Sequence, residues 1–255
     1  MPDAAGAPGP AIVVTGGSSG IGAALCRAAA RNGWRVWVGY ASGGMRAAAL
    51  AAELSGRGAH ATPVHLPLDN PEALKQGIAR VASAQPLPRA VALCGAPAPD
   101  VAPFAKLALP AMRRQVECAV LGNYTLCAEL WRACFRRQGG GHVLAVLSAA
   151  QGPATASHMA GYVASKGGLE ALLHAAAAEL GRAGLRVSVV RPGYVDTPML
   201  KAFQPMLLDR ARESLSGRDF LAPEQVADAL MRGLSTPGPG GTVQELSIDT
   251  AVAAQ

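Results

Sequence analysis

The sequence predicts an α/β protein built on a parallel sheet, and three observations lead to this fold class. Short apolar runs alternate along the whole chain with longer segments of helical periodicity. Glycine or proline stands between most of these segments. Half of the 255 residues are apolar but only 4% are aromatic, so the core must consist mainly of alanine, valine, leucine and isoleucine. Strands regularly separated by helices form βαβ units, so we expect one domain with a parallel sheet.

The first half of the chain contains four predicted strands, which are short apolar runs over residues 11–15, 34–39, 62–66 and 90–94. Predicted helices over residues 21–32 and 45–55 follow the first two strands, and Gly33 ends the first helix. A third helix begins at Pro71, because proline suits the first helical position and Asn70 before it can cap the helix.

The second half continues the alternation with three more predicted strands, over residues 142–147, 185–190 and 243–248. Long helices over residues 109–137 and 161–182 precede the first two of these strands, and glycines follow both helices. A shorter helix over residues 223–235 precedes the last strand. Residues 195–221 show no clean period, so we expect a loop with short helical turns there.

The charge of the chain limits the classes of partner. The formal net charge is +6, but no run of lysine or arginine is long enough for a nucleic-acid arm. We therefore expect no nucleic-acid partner. A solvated surface, an anionic cofactor and an acidic carrier protein all remain open as reasons for the positive balance.

The cysteine pattern and the termini limit the compartment. Five cysteines, an odd number with no C-x-x-C pair, favour small buried side chains in a reducing compartment over disulfides or a metal site. Residues 1–10 lack the basic and apolar regions of a signal peptide, so we expect a flexible leader before a domain over residues 11–255. The sequence contains no uncharged apolar stretch of about 18 residues, so we expect no membrane-spanning helix. The expected location is cytoplasmic.

A glycine-rich turn lies between the first predicted strand and the first predicted helix. Gly16 permits a tight turn, Gly20 lets the backbone approach a pyrophosphate, and Gly22 lets the helix pack closely on the sheet. The helix that follows would point free N–H groups at the phosphates. The residues expected to hold a dinucleotide here are Thr15, Gly16, Ser18, Ser19, Gly20, Ile21 and Gly22.

The second strand predicts which dinucleotide is preferred. NAD sites place an acid about 20 residues after the glycines, to bind the ribose 2′-hydroxyl. No Asp or Glu occurs between Gly22 and Glu53, whereas Tyr40, Ser42 and Arg46 follow the second strand. A hydroxyl and a guanidinium favour a 2′-phosphate, so we expect NADP(H), unless Arg46 is an ordinary surface residue. Asp69 after the third strand would accept from the adenine amino group or form part of a turn.

Three residues form the candidate catalytic set. Tyr162 and Lys166 are four residues apart on a predicted helix, so the phenol and the ammonium lie on one face. A neighbouring positive charge favours the phenolate, which makes tyrosine a usable proton donor and acceptor. Ser148 follows the fifth predicted strand, at the carboxyl edge of the sheet where ligands of such folds bind.

Together these motifs resemble the short-chain dehydrogenase/reductase family over about residues 11–249. The motifs are Thr15-Gly16-x-x-x-Gly20-x-Gly22, Ser148, Tyr162-x-x-x-Lys166 and Arg191-Pro192-Gly193. The resemblance implies a doubly wound Rossmann-like sheet of seven parallel strands in the order 3-2-1-4-5-6-7. It also implies that Tyr162 is the general acid/base, that Ser148 orients the carbonyl, and that Lys166 binds the nicotinamide ribose. Further residues that would border the cofactor are Gly95, Ala96, Pro192, Gly193, Val195 and Thr197.

Two positions depart from the family pattern. Leu93-Cys94-Gly95-Ala96 stands where the family usually has Asn-Asn-Ala-Gly, and Ala119 aligns with the catalytic Asn that supports a water relay to the lysine. Asn123 lies one turn after Ala119, where it would either compensate in part or serve only in packing. The sequence leaves open an active enzyme and a weakened or non-catalytic NADP-binding subunit of a hetero-oligomer.

Within the family, the chain most resembles 3-oxoacyl-[acyl-carrier-protein] reductases, through residues 40–42, 217–218 and 223–227. The resemblance implies reduction of a 3-oxoacyl thioester, with residues 199–220 as a substrate lid, and a homodimer or tetramer formed through the two long helices. Arg136, Arg137 and Arg182 are expected near the active site, where they would attract an acidic carrier protein, unless they only complement helix dipoles. Reduction of a free small alcohol or ketone is the remaining alternative.

Overall fold

The computed structural model describes residues 9–151, 157–215 and 219–249, and its central feature is one parallel sheet. The seven strands are β1 (Ala11–Thr15), β2 (Arg35–Tyr40), β3 (Ala61–His65), β4 (Pro88–Leu93), β5 (Gly141–Val146), β6 (Leu185–Val190) and β7 (Val243–Leu246). Their order is β3-β2-β1-β4-β5-β6-β7, which confirms the expected topology. Residues 1–8 of the expected leader lie outside the described residues.

Eight α-helices accompany the strands in the described part of the chain. They are α1 (Gly20–Arg31), α2 (Gly44–Gly56), α3 (Pro71–Ala82), α4 (Leu109–Val116), α5 (Asn123–Leu130), α6 (Ala160–Leu180), α7 (Pro205–Ser214) and α8 (Pro223–Ser235). The expected helix over residues 109–137 is one continuous helical run, in which π-helical segments Glu117–Gly122 and Trp131–Phe135 follow α4 and α5. A π-helical turn widens the backbone, and here it lies at Ala119.

Two apolar cores lie on opposite faces of the sheet. Successive residues of β1 point to opposite faces, so that Ile12 and Val14 pack with α1, α2 and α8, whereas Val13 packs against the other layer. That second layer contains α3, α5 and α6, and Phe135 is a fully buried side chain in it. The sheet is therefore covered on both faces, as a doubly wound fold requires.

The segment 195–221 differs from expectation. Its predicted loop contains the ten-residue helix α7, which begins with Pro205 in its first turn. Among the side chains of α7 that the structure describes, Ala211 is buried, whereas Met206 is exposed and Leu207 and Leu208 are half-buried. A helix that buries so little has no marked apolar stripe, which is why periodicity did not indicate it.

The placement of Arg136, Arg137 and Arg182 near the active site is wrong. Helices in this fold run antiparallel to the strands, so their last residues lie at the amino edge of the sheet. The glycines that follow the two long helices meet there, since Gly141 N donates to Gly184 O over 3.3 Å at the beginning of β5 and β6. The three arginines are exposed at this edge, opposite the carboxyl ends of the strands.

Two further features of the described residues bear on function. No helix among them combines the length and the apolar character needed to cross a membrane. The part of the chain that the structure describes also contains no group of three metal-binding side chains of the His, Cys, Asp and Glu types.

Candidate active site

The turn between β1 and α1 brings backbone close to backbone. Gly16 has a φ of +63°, and a Cβ placed on it would lie 2.8 Å from Gly95 Cα. A Cβ on Gly22 would lie 2.3 Å from Gly16 O. Larger residues therefore do not fit at either position. Ser19 at the beginning of α1 makes no side-chain cap, so the first N–H groups of the helix remain available to an anion.

Thr15 connects this turn to the end of β4. Its hydroxyl donates to Ala92 O over 3.3 Å and accepts from Gly95 N over 3.0 Å. Thr15 is almost fully buried and does not line the cavity described below. Its expected role at the cofactor is therefore indirect in this structure, because it holds Gly95 beside Gly16.

The end of β2 gathers polar groups near the turn. A Cβ placed on Gly43 would lie 2.6 Å from Ser18 Oγ and 2.8 Å from Arg46 Nη2, so both polar atoms lie beside the same glycine. Arg46 is exposed, and no carboxylate within the described ranges pairs with it. Tyr40 packs on His65, with ring centroids 5.3 Å apart. Ser42 and Asp69 are both exposed.

Ser148, Tyr162 and Lys166 line one cavity of about 410 Å³ together with the glycine turn. Lys166 is only 4% exposed, and its Nζ donates to Val146 O over 2.6 Å. The same Nζ lies 5.7 Å from the centroid of the Tyr162 ring. The expected residues that line this cavity are Gly16, Ser19, Gly20, Ile21, Gly22, Gly95, Ala96, Ser148, Tyr162, Lys166, Pro192, Gly193, Val195 and Thr197.

A cluster of three polar side chains, Gln151, Glu170 and Arg191, lies beside Ser148 and was not predicted from the sequence. Gln151 Oε1 accepts from Ser148 N over 3.2 Å and from Arg191 Nη1 over 3.1 Å, and Gln151 Nε2 donates to Glu170 Oε2 over 2.7 Å. Arg191 also forms a two-point ion pair with Glu170. The hydrogen bonds from Arg191 lower the pKa of the Glu170 carboxyl and raise that of the guanidinium. The one signal in the sequence was the spacing of Glu170, one turn after Lys166.

The remaining wall of the cavity is apolar and includes residues that sequence analysis did not single out. Those not singled out include Pro99, Met159 and Tyr194, whereas Met199, Leu200, Phe203 and Leu215 belong to the expected lid. Tyr194 stacks on Phe220 with centroids 5.3 Å apart and contacts the edge of Phe203 at 6.0 Å. Thr197 closes the other side, because a Cβ on Gly20 would lie 3.0 Å from Thr197 Cγ2. Of the expected lid over residues 199–220, residues 216–218 lie outside the described ranges.

The first departure from the family pattern, at Leu93 and Cys94, changes which side chains line the cavity. Leu93 is a fully buried core residue, whereas Cys94 lines the cavity. Burial raises the pKa of the Cys94 thiol to about 12, and the nearby Lys166 ammonium opposes this only in part. Cys94 therefore remains a neutral thiol beside Lys166 and does not act as a nucleophile near neutral pH.

The second departure leaves a buried polar atom without a partner. Asn123 is 1% exposed, and its Nδ2 donates to Ala119 O one turn earlier over 2.9 Å. Its Oδ1 is the only buried side-chain oxygen or nitrogen without a hydrogen bond among the described residues. Neither Asn123 nor Ala119 lines the cavity. The structure therefore does not bring Asn123 to the site with Ser148, Tyr162 and Lys166.

Comparison with known proteins gives a family match. The model for the short chain dehydrogenase family matches residues 10–207. Cis-4-hydroxycyclohexanecarboxylate dehydrogenase of Sinomonas cyclohexanicum is 31% identical over 86% of this chain and 86% of its own length. Acetoacetyl-CoA reductase of Rhizobium meliloti is 30% identical over 84% of this chain and 86% of its own length.

Two solved structures share the fold. A dehydrogenase/reductase of Sinorhizobium meliloti superposes with a TM-score of 0.83 at 24% identity and covers 96% of both chains. A short chain dehydrogenase of Burkholderia cenocepacia, solved in complex with NADP, gives a TM-score of 0.82 at 23% identity and covers 95% of this chain and 98% of that one. At this identity the two structures support the fold alone.

Proposed function

Because the chain belongs to the short chain dehydrogenase family of oxidoreductases, we propose that it reduces a carbonyl with NADPH, most readily the keto group of a 3-oxoacyl thioester. One observation carries the proposal. Ser148, Tyr162, Lys166 and the glycine turn line a single cavity whose remaining wall is apolar. The proposal thus combines a site for a dinucleotide, a proton donor and a surface for an acyl group.

The residues present fit NADPH. The lack of room for a Cβ on Gly16 and Gly22 keeps the turn tight and the helix close to the sheet, and the uncapped beginning of α1 leaves its first N–H groups for a pyrophosphate. Ser18 and Arg46 would hold the 2′-phosphate, because Arg46 has no carboxylate partner in the described part of the chain. When bound, NADPH would supply the hydride. Gly95, Ala96, Pro192, Gly193, Val195 and Thr197 would border its nicotinamide half.

The side chains of the site then manage the substrate oxygen and its proton. The Ser148 hydroxyl would donate a hydrogen bond that holds the carbonyl oxygen, and the Tyr162 phenol would give its proton to that oxygen as negative charge develops there. One of the three N–H donors of the Lys166 ammonium forms the hydrogen bond to Val146 O. The other two remain for the phenol and a ribose hydroxyl.

The wall of the cavity favours a neutral, apolar acyl group. Among the described residues that line it, Lys166 is the only charged one. A substrate carboxylate would find no arginine there, and the wall formed by Met199, Leu200 and Phe203 offers no side-chain hydrogen bond to the hydroxyls of a sugar, which is costly in a buried site. An acyl chain suits Met199, Leu200 and Phe203. The name of the Rhizobium meliloti relative, a reductase of acetoacetyl-CoA, also supports a thioester.

The carrier of the thioester is a separate question. Because Arg136, Arg137 and Arg182 lie at the opposite edge of the sheet, they supply no argument for an acyl carrier protein. The apolar cavity would fit the acyl group on any carrier, so the proposed acyl-carrier-protein substrate rests on the resemblance to 3-oxoacyl-carrier-protein reductases alone.

An assay of NADPH oxidation at 340 nm with the purified chain tests the proposal. The substrates are acetoacetyl-acyl-carrier-protein, acetoacetyl-CoA, a carrier-free cyclic ketone and a keto sugar, and each is also assayed with NADH. We expect the thioesters to react fastest and NADPH to be preferred about tenfold or more, the discrimination of one charge-assisted hydrogen bond. Turnover confined to the sugar, or a preference for NADH, would contradict it.

A weakened or non-catalytic NADP-binding subunit is the second candidate function. It is favoured by the buried Ala119 and by Asn123, whose side chain is turned back to its own helix. This candidate predicts NADPH binding, measured by cofactor fluorescence, without turnover of any substrate by the chain alone. It also predicts that Ala119→Asn raises turnover, whereas no gain would mean that the missing side chain does not limit the reaction.

A further inference from the structure

Three polar side chains from separate parts of the chain meet behind Ser148. Gln151 ends a short turn after β5, Glu170 lies on α6, and Arg191 directly follows β6. We propose that Gln151, Glu170 and Arg191 are positioning residues that fix Ser148 relative to Tyr162 and Lys166. This inference rests on the proposed function of the site, because it concerns the geometry of the same reaction.

Ser148 lies between two backbone hydrogen bonds that extend the pairing of β5 with β6, and the second of these joins Ala149 N to Pro192 O over 2.9 Å. Leu147 N still donates to Val190 O over 2.9 Å, as in a strand. The next amide, Ser148 N, has the Gln151 side chain as its partner in the described part of the chain, at 3.2 Å. The hydroxyl of Ser148 accepts from Ala150 N over 3.1 Å. Gln151 is thus the side chain that holds the Ser148 amide, in addition to the backbone contacts on either side of it.

The orientation of the Gln151 amide is determined by its neighbours. Its Nε2 faces a Glu170 carboxylate oxygen, which can only accept a hydrogen bond. Its Oε1 faces two donors, Ser148 N and Arg191 Nη1. A rotated amide would place its NH₂ against both donors and its oxygen against the carboxylate. All three contacts would be lost, so Gln151 is locked in one orientation.

The cluster also connects Ser148 to the helix that carries the other two residues. Tyr162, Lys166 and Glu170 follow one another at intervals of four on α6, which places them along one side of the helix. A chain of hydrogen bonds thus runs from α6 through Glu170 and Gln151 to the amide of Ser148. The distance between the serine turn and α6 is set by side-chain contacts in addition to packing.

Arg191 keeps the Glu170 carboxylate ionised and in place. The guanidinium contacts both oxygens of Glu170, and its Nε donates to Glu245 Oε1 over 3.2 Å. A two-point pair fixes the plane of the carboxylate as well as its position. The side chains of Arg191 and Glu170 are each about a quarter exposed, so the pair is better shielded than a surface ion pair.

Amide hydrogen exchange measured by NMR tests the inference without any need for turnover. The variant Gln151→Met keeps the length of the side chain but removes its hydrogen bonds. We expect the Ser148 amide to exchange about tenfold faster or more, while the Leu147 amide is unchanged. Exchange at Ser148 that stays as slow as in the unmodified chain overturns the inference. Glu170→Gln serves as a second variant, with the same expected direction, if Gln151→Met does not fold.

Kinetics test whether the contact acts through Ser148. We expect Gln151→Met to lower kcat about tenfold with the KM for NADPH unchanged, since the position of the reacting groups is affected and cofactor binding is not. In a Ser148→Ala background the same substitution should change kcat by less than about twofold. An equal loss in both backgrounds would show that Gln151 acts elsewhere and would overturn the inference.

Glu245→Gln is the matched control. Glu245 also contacts Arg191, but it is 63% exposed on β7 and does not touch Gln151. It should leave both the Ser148 exchange rate and kcat unchanged, and a loss as large as that of Gln151→Met contradicts a specific path through Gln151. If the unmodified chain turns over no substrate, the proposed function fails, and the exchange measurement alone then decides this inference.

Discussion

Lys166 Nζ donates a hydrogen bond to Val146 O over 2.6 Å, and this contact ties α6 to the last residue of β5. It directs the ammonium towards the cavity, where the phenol of Tyr162 also lies. The proposed reaction depends on this arrangement, because the proton donor must stand beside a fixed positive charge.

Tyr162→Phe is expected to lower kcat about 10²-fold or more, since it removes the proton that the proposed mechanism gives to the substrate oxygen. NADPH binding should persist, because the ring and Lys166 remain. Steady-state kinetics and cofactor fluorescence measure the two effects. Tyr124→Phe is the control, since Tyr124 is 53% exposed on α5 and removed from the cavity. Full activity of Tyr162→Phe would refute the assignment.

Arg46→Ala is expected to raise the KM for NADPH about 10- to 100-fold, the value of one hydrogen bond to a charged group. The KM for NADH should change little, because NADH has no 2′-phosphate. The matched control is Arg57→Ala at the other end of α2, where Arg57 lies 3.8 Å from Glu53. Equal effects on both cofactors would mean that Arg46 does not read the phosphate.

Thr15→Val is expected to lower the free energy of unfolding by about 2 kcal/mol, because Gly95 N loses its acceptor in a largely buried position. Denaturant unfolding with and without NADPH measures the loss. Thr15→Ser keeps the hydroxyl and should retain most of the stability. An unchanged Thr15→Val variant would show that water replaces the hydroxyl at Gly95.

His142 makes stability depend on pH. Burial and the Arg186 guanidinium lower the pKa of His142 to about 4. Its Nε2 lies 2.8 Å from Ser188 Oγ, which itself donates to Gln244 Oε1, so the neutral imidazole donates to the serine. The unfolded chain binds a proton at His142 near pH 6.5, whereas the folded chain does so only near pH 4. The contribution of the neutral His142 to the free energy of unfolding is complete above pH 6.5 and declines as the pH falls towards 4.

That decline amounts to about 3 kcal/mol of unfolding free energy between pH 7 and pH 4. Unfolding curves recorded across this range measure it. His142→Gln retains a donor for Ser188 without the titration, so its stability should fall less steeply with acid. Identical pH profiles for the two proteins would contradict the prediction.

The sequence was sufficient for the parts of the molecule that follow from periodicity and from local backbone geometry. The parallel sheet and the glycine turn agree with what the apolar runs and the glycine spacing predicted, whereas the order of the strands was an expectation from the family resemblance, which the structure confirms. Helix α7 was not predicted because, among its described side chains, only Ala211 is buried. Arg136 and Arg182 were placed at the wrong edge of the sheet because the prediction did not use the direction of the helices, which run antiparallel to the strands.

Contacts that join distant segments could not be read from the sequence. Gln151 and Arg191 are 40 positions apart, and their shared contact with Glu170 depends on how α6 packs against the sheet. Tyr194 likewise becomes part of the cavity wall only through Phe203 and Phe220. Gln151 could not be identified from its local sequence, because a single glutamine after a strand is as compatible with a solvated turn as with a buried cluster.

The strand order has a consequence for biosynthesis. β1 pairs with β4, and Gly16 shares the cavity with Gly193 and Thr197, so the groups that would hold a dinucleotide come from segments about 180 positions apart in the chain. A chain growing on a ribosome can assemble its first strands early, but it has no complete pocket until β6 and the residues after it have emerged. Cofactor held by the complete site therefore cannot stabilise the early nascent chain by mass action, and the first βαβ units must persist on their own packing until the residues after β6 have emerged.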